Sequence, residues 1–435
     1  MLYRLAIAFL ALALSACTAQ PAVMRTQADA MPATDAATLD HDRDIILAVA
    51  NPIEPPAAHA GSSFIGYAPP GSYGAGQRAN AMLSDLKRQY GLRERTGWPI
   101  KALGLYCVVL EPPPGVTRDA LLKTLAADDR VKLAQPLQDY TVYSDTKAAE
   151  PPVAHAYNDP YANLQRGFVE TDAARAHATS QGHGVQVAVI DTGVDFNHPD
   201  LQGRIATMHD MVGTDDAAFS RDAHGTEVAG IIAAVGDNHQ GIVGIAPAAT
   251  LSVYKACWYT TDGNSGAHCN SFTLAKAMAA VLDTDARIVN MSLGGPADPL
   301  LSKLLAELLR QDRIVVTALP PDGSTKGFPD GAQGVIVVRS GSSTHGPPDV
   351  LSAPGGDILT TQPGGSYDFS SGSSMAAAHV SGILALMLSV DHGMDAATAR
   401  HLLDTTSKIT NGARQVDAAS ALQALQGNSG RASVH

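Results

Sequence analysis

Short runs that are apolar at nearly every position alternate with longer stretches of helical periodicity through the C-terminal two-thirds of the chain. Val185–Ile190, Thr250–Lys255, Arg287–Leu293, Ile314–Leu319 and Gly334–Arg339 read as strands. A strand apolar on both faces belongs inside a parallel sheet covered by helices on both sides. Segments 224–235, 271–283, 299–311, 374–390 and 395–404 carry the helical patterns that supply this cover. The alternation predicts an α/β domain on a mainly parallel sheet, spanning residues 158–426.

The N-terminal third is patterned more weakly. Ala79–Gly91 reads as a short helix and Leu103–Leu110 as a strand. Thr117 can cap a helix running to about Asp129, with Leu121, Leu122 and Leu125 on one face. A last strand covers Val131–Val142. This small α+β unit, residues 79–145, makes a marginal core and is expected to lean on something larger. Residues 17–78 are rich in Ala, Pro and Gly, with Pro-Pro at 55–56 and 69–70, and read as a flexible tether. Residues 146–157 read as a linker and 427–435 as a disordered tail.

Composition narrows the function. Apolar residues make up 45% of the 435, enough for a sizeable core, and the formal net charge is −12. With neither a basic balance nor a basic stripe, a nucleic-acid binder is excluded. The longest uninterrupted apolar run, Leu5–Leu14, is too short to span a bilayer. It follows Arg4 and precedes small residues, the order of an export signal over residues 1–16. Leu14-Ser15-Ala16-Cys17 resembles the lipobox of bacterial lipoproteins, which implies lipid on Cys17; Thr18 after it implies the outer membrane. The rest of the chain is then expected in an oxidising envelope space, on its periplasmic or surface face. Cys257 and Cys269 lie in a Thr-, Gly-, Ser- and Asn-rich segment that can close as a disulfide. A metal site with His268 has poor spacing and no fourth ligand. Cys107, in an apolar run, reads as a packing residue.

Three motifs carry the chemistry. Asp191 ends a strand in Val187-Ala-Val-Ile-Asp-Thr-Gly193, at the carboxyl end where α/β sheets bind ligands. His224 opens a helix before its apolar stripe of Val228, Ile231, Ile232 and Val235 begins. Ser374 opens another helix in Ser371-Gly-Ser-Ser-Met-Ala-Ala-Ala-His-Val380. Free N–H groups and a partial positive charge at a helix N-terminus suit a developing oxyanion. Singly, these residues read as a turn former, a capping histidine and an N-cap. Together, acid, imidazole and hydroxyl are the parts of an activated nucleophile.

In this order, with their flanking residues, the motifs resemble the subtilisin-like serine proteases (subtilases, peptidase family S8) over about residues 157–425. Gly244-Ile-Ala-Pro247, Asn290-Met-Ser-Leu-Gly-Gly295 and Ala353-Pro-Gly355 extend the resemblance. It implies a three-layer fold, with Ser374 as nucleophile, His224 as general base and Asp191 orienting the ring. It also implies that Ser292, Leu293 and Gly294 form an edge pairing with an extended peptide or protein substrate. Residues 79–143 look like the inhibitor-type prodomain of such enzymes, most closely at Asp129–Val142. Maturation cleavage is then expected within 143–158, with the stretch before Asn158 one candidate.

The departures are informative. Subtilases normally supply an oxyanion donor from an Asn in an Ala-Gly-Asn turn after a core strand. Here Ile314–Leu319 runs into Pro320-Pro321-Asp322-Gly323, placing Pro321 at that position without side-chain donor or N–H. Ser324, Thr325 or a protonated Asp322 are the neighbouring substitutes. Ser373, Ala378 and Glu227 replace the usual Thr, Pro and His. Asp200 and Asn238 match calcium-binding positions of some relatives, but Tyr157 stands where another ligand belongs; no metal is assigned and no cofactor is expected. The remaining histidines, His379 included, read as packing or surface residues. The expected function is a serine endopeptidase anchored to a membrane by lipid, its partners a peptide or protein substrate and its own prodomain. Two alternatives follow from Pro321: a catalytically impaired peptide-binding or scaffolding lipoprotein, and a slow enzyme that cuts only its own linker.

Overall fold

Ile45–Ala50 (β1) is apolar at all six positions, so both of its faces need cover, and both have it. The computed structural model describes residues 38–52, 74–142, 157–213, 216–259, 266–341, 343, 346–348, 350–410 and 413–432. The export signal, Cys17 and residues 146–156 of the linker lie outside them. After β1 come α1 (Gln77–Tyr90), β2 (Arg93–Ile100), β3 (Leu105–Glu111), α2 (Arg118–Ala126) and β4 (Val131–Pro136). The strands form an antiparallel sheet in the order β2-β3-β1-β4. Ile45, Leu47 and Val49 pack under Leu83, Leu86, Leu121 and Leu125 of the two helices. Ile46 and Ala48, with Trp98, Cys107 and Val109, face the larger body instead.

Three expectations are corrected here. The tether 17–78 contains β1, an inner strand, and Gln77 and Arg78 already belong to α1. Six apolar residues in an Ala- and Pro-rich stretch are hidden when composition is averaged over the whole stretch. Val131–Val142 is two strands: β4 stays in the small sheet, while β5 (Asp139–Val142) joins another. Finally, residues 427–432 of the expected tail continue the last helix. The small unit does lean on the larger one. The Trp98 ring meets Phe272 edge-on at 4.9 Å, and Gln135 Oε1 accepts the Leu300 N–H at 2.9 Å.

The larger body opens with α3 (Arg166–Glu170) and α4 (Ala173–Ala176), followed by β6 (Gln186–Asp191), β7 (Ile205–Asp210), α5 (Asp216–Arg221), α6 (Ala223–Ala233) and β8 (Thr250–Lys255). The pair β9 (Cys257–Tyr259) and β10 (Ala267–Asn270) leads into α7 (Ser271–Leu282), β11 (Ile288–Met291) and β12 (Leu293–Gly294). Then come α8 (Pro299–Arg310), β13 (Ile314–Ala318), β14 (Ile336–Ser340), β15 (Leu351–Ala353) and the hairpin of β16 (Ile358–Gln362) and β17 (Ser366–Ser370). The long α9 (Ser373–Val390), α10 (Ala396–Thr406), β18 (Lys408–Thr410), β19 (Ala413–Gln415) and α11 (Ala418–Ala432) complete it.

Among the described residues the main sheet has nine strands, ordered β18-β19-β15-β14-β13-β11-β6-β8-β7. All neighbours are parallel except β18 and β19. Along β6, Val187 and Val189 pack with Val228 and Ile232 of α6 and Val380 and Leu384 of α9. Ala188 and Ile190 point the other way, into a core with Ala277 of α7 and Leu304 of α8. Cover on both faces is why β6 is apolar at successive positions. Helix α9 is apolar enough to cross a membrane by composition, yet it is buried as the central helix of this core.

Candidate active site

Asp191 is the last residue of β6, and His224 is the second residue of α6, which packs on that end of the sheet. Gly225 permits the close approach. A Cβ there would lie 2.4 Å from Gly193 O, inside the turn that follows Asp191. Thr192 Oγ1 accepts the Gly225 N–H at 2.8 Å and fastens the helix to the same turn. His224 Nδ1–H donates to Asp191 Oδ1 at 2.7 Å, and the Thr192 N–H donates to the same oxygen at 2.6 Å. Both side chains are buried. Burial opposes a charged imidazole, but the Asp191 charge and hydrogen bond outweigh it, with Glu227 adding to them. His224 is therefore raised above the ordinary histidine value. Its Nε2 makes no hydrogen bond among the described residues.

Ser374 is the second residue of α9, whose N-cap Gly372 has φ 149°, a conformation that side chains disfavour. Gly372 N–H donates to Gly355 O at 2.7 Å, and a Cβ on Gly355 would stand 2.6 Å from Gly372 O. The Ala353-Pro-Gly355 block thus seats the start of this helix. Ser374 Oγ donates to Ser292 O at 3.1 Å, and Ser292 Oγ donates back to Ser374 O at 3.2 Å. Asn290 supports the arrangement, giving Nδ2–H to Ser292 Oγ and accepting Ser381 Oγ–H. With α6 packed on α9, the structure brings acid, imidazole and hydroxyl to one end of the sheet.

The expected peptide-binding edge is occupied. β5, from the small unit's C-terminal end, lies between β12 and β10 in a second sheet ordered β12-β5-β10-β9. Val142 pairs with Leu293 and Thr141 with Gly294, antiparallel; on the other side Thr141 pairs with His268 and Tyr140 with Cys269. Tyr140 is buried, its ring 5.7 Å from Phe328 and its hydroxyl donating to Pro296 O at 3.2 Å. A Cβ on Gly295 would stand 2.3 Å from the Tyr140 ring, so a glycine makes this slot.

Pro321 is exposed, in a turn closed by Gly323 N–H to Pro320 O. Asp322 Oδ1 accepts the Ser324 N–H at 2.9 Å, so this carboxylate is used by its own turn. Cys257 and Cys269 form a disulfide, and Cys107 is buried, its thiol pushed up by burial. His379 is buried in α9, bonded through Nδ1 to Met375 O, and burial lowers it to about 4; it is a neutral packing residue. At the positions weighed for calcium, Asp200 accepts Asn238 Nδ2–H and the Ile242 N–H, whereas the Tyr157 hydroxyl is bonded to His177.

Several residues escaped sequence reasoning. Asp222, the N-cap of α6, turns its carboxylate away from the helix to Gly193 N–H and the Lys255 ammonium. Tyr259 reaches across from β9, and its hydroxyl accepts the His224 N–H at 3.0 Å. Neither belongs to a motif. The nearest signal is an acid two residues before the histidine and a lysine ending an apolar strand.

Comparison with known proteins gives consistent likenesses. The sequence model of the subtilase family matches residues 182–428. Thermitase of Thermoactinomyces vulgaris is 32% identical over 266 residues, covering 59% of this chain and 92% of that protein. Subtilisin E of Bacillus subtilis (strain 168) is 33% identical over 271 residues, covering 59% and 68%. Fervidolysin from Fervidobacterium pennivorans, described as a keratinolytic enzyme related to subtilisin, has a TM-score of 0.69 at 21% identity. That likeness covers 88% of this chain and 61% of fervidolysin and speaks for the fold.

Proposed function

Since the chain belongs to the subtilase family and is a subtilisin-like serine protease, a serine endopeptidase, we propose that Asp191, His224 and Ser374 carry its chemistry. The observation behind this is the 2.7 Å bond from His224 Nδ1 to Asp191, which leaves the buried Nε2 without a hydrogen-bond partner among the described residues. Ser374 Oγ leaves Ser292 O, passes its proton to His224 Nε2 and attacks the scissile carbonyl. Asp191 holds the ring's tautomer and stabilises the imidazolium. That imidazolium returns the proton to the leaving amine, and water then releases the acyl group by the same route. The Ser374 N–H and the positive end of α9 face the developing oxyanion.

Pro321 supplies no second donor. Loss of one such donor costs on the order of 10²–10³ in rate, about 2.7–4 kcal/mol. We therefore assign slow turnover. The same turn favours the second reading, a peptide-binding or scaffolding relative with impaired catalysis.

Substrate is held by main-chain pairing at Leu293 and Gly294, with Ser292 beside the nucleophile, and β5 takes this place as the chain's own inhibitor. β5 ends at Val142, paired with Leu293, the residue next to Ser292, whose carbonyl holds the Ser374 hydroxyl. The self-processing site is therefore sought beyond this strand, within the expected 143–158 window. No metal enters this scheme. For location we retain an exported lipoprotein anchored through Cys17 in an oxidising envelope compartment, in keeping with the Cys257–Cys269 disulfide.

The test compares purified residues 18–435 with Ser374→Ala by intact mass and fluorophosphonate labelling. A break within 143–158 and labelling are expected, both absent from the variant. Processing without labelling or turnover of added peptides indicates a self-cutting binder. Neither signal, in folded protein, would sink the catalytic reading.

A further inference from the structure

Helix α6 carries the general base, yet its N-cap does not cap it. The first N–H groups of any helix lack intrahelical acceptors. An Asp at the N-cap ordinarily accepts one of them. Asp222 makes no such bond, because its Oδ2 is taken by the Gly193 N–H at 2.8 Å and by the Lys255 ammonium. His224, at the second helical position, instead donates its N–H to the Tyr259 hydroxyl at 3.0 Å. The acceptor thus comes from another strand.

That strand is tied to the peptide-binding edge. Tyr259 pairs with Ala267, Trp258 with His268 and Cys257 with Cys269, and the last pair is covalently joined. On its other side β10 pairs with β5. A continuous path therefore runs from the bound strand through β10 and the disulfide to β9, Tyr259 and the backbone of His224.

We propose that Tyr259 is a positioning residue for His224, fixing the imidazole relative to the nucleophile and coupling its placement to occupancy of the β10 edge. This rests on the assignment of His224 as general base. The hydroxyl oxygen, with Thr192 Oγ1 on the next N–H, also offsets the positive end of α6 beside the ring. Burial raises the Tyr259 phenol, so it stays neutral wherever the enzyme works.

The test uses the processed full chain and Tyr259→Phe, with a peptide para-nitroanilide and a fluorophosphonate. In the variant, kcat is expected to fall about tenfold with KM within about twofold, and labelling to slow in parallel. The acid midpoint of kcat/KM should also move to lower pH, because the uncapped helix end disfavours imidazolium. An unchanged kcat and midpoint per active site overturn the proposal, as does a lowered active-site titre with normal rate per site. Cys257→Ala with Cys269→Ala should reproduce part of the loss and add little in the Tyr259→Phe background; full additivity overturns the coupling. If wild-type turnover is too slow to assay, the His224 pKa read by NMR decides instead. A lower value in Tyr259→Phe supports the proposal and an equal value overturns it, whatever becomes of the catalytic reading.

Discussion

Glu227 sits one turn beyond His224 on α6, buried, with Oε1 accepting Gln362 Nε2–H at 2.7 Å and Oε2 accepting Ser370 Oγ–H at 2.9 Å. These bonds hold the Glu227 side chain in place, near enough to His224 for its charge to favour imidazolium. His224 must be neutral to act as base, so activity is lost as pH falls through its raised pKa. Glu227→Gln removes one charge that favours imidazolium. The acid limb of kcat/KM should therefore shift to lower pH, and an unmoved limb would show that Asp191 alone sets it. Pro321 gives the complementary test. Pro321→Asn restores a side-chain donor and is expected to raise kcat at least about tenfold. No gain in steady-state kinetics would mean that another group already completes the hole. Pro321, Glu227 and the three residues of the proposed triad stand out in the sequence because each falls inside or beside a short motif. Tyr259 and Asp222 do not, since their roles depend on which strand lies next to α6.

At the scale of elements, β5 fills the edge at Leu293 and Gly294 where the proposed substrate would pair. It is held along both edges by backbone pairing and at one point by the Tyr140 side chain, set against Phe328 in the slot left by Gly295. Truncating a buried aromatic costs about 3–5 kcal/mol. Tyr140→Ala in the full chain should therefore shorten the lag between self-processing and full peptide hydrolysis. A progress curve with an unchanged lag would show that pairing alone retains the strand. Strands buried on both faces, such as β6 and β13, were readable from apolar runs. β2 opens with Arg-Glu-Arg-Thr-Gly and announces nothing, and β16 and β17 carry mixed polar sequence. The division of Val131–Val142 into two strands was illegible because it is fixed by distant partners: β1 takes one half, β10 and β12 the other.

For the whole molecule, periodicity foretold the parallel sheet with helices on both faces, and the size of the N-terminal unit foretold its dependence on a neighbour. What it could not supply was the extent of that unit. β1 lies far upstream of α1 in an Ala- and Pro-rich stretch, and only pairing with β3 and β4 reveals it as structural. The shared interface has a consequence for the order of events if the chain cuts itself as proposed. Ile46, Ala48, Trp98, Cys107 and Val109 are covered by the larger body, not by the unit's own helices. On departure they meet water, and a core closed on one face alone does not hold so small a chain folded. A unit released in that way is expected to unravel into an extended polypeptide, the form that fits the groove it has vacated. Under the proposed self-processing, activation is a ratchet: each released copy turns from blocker into digestible chain, and the way back is lost.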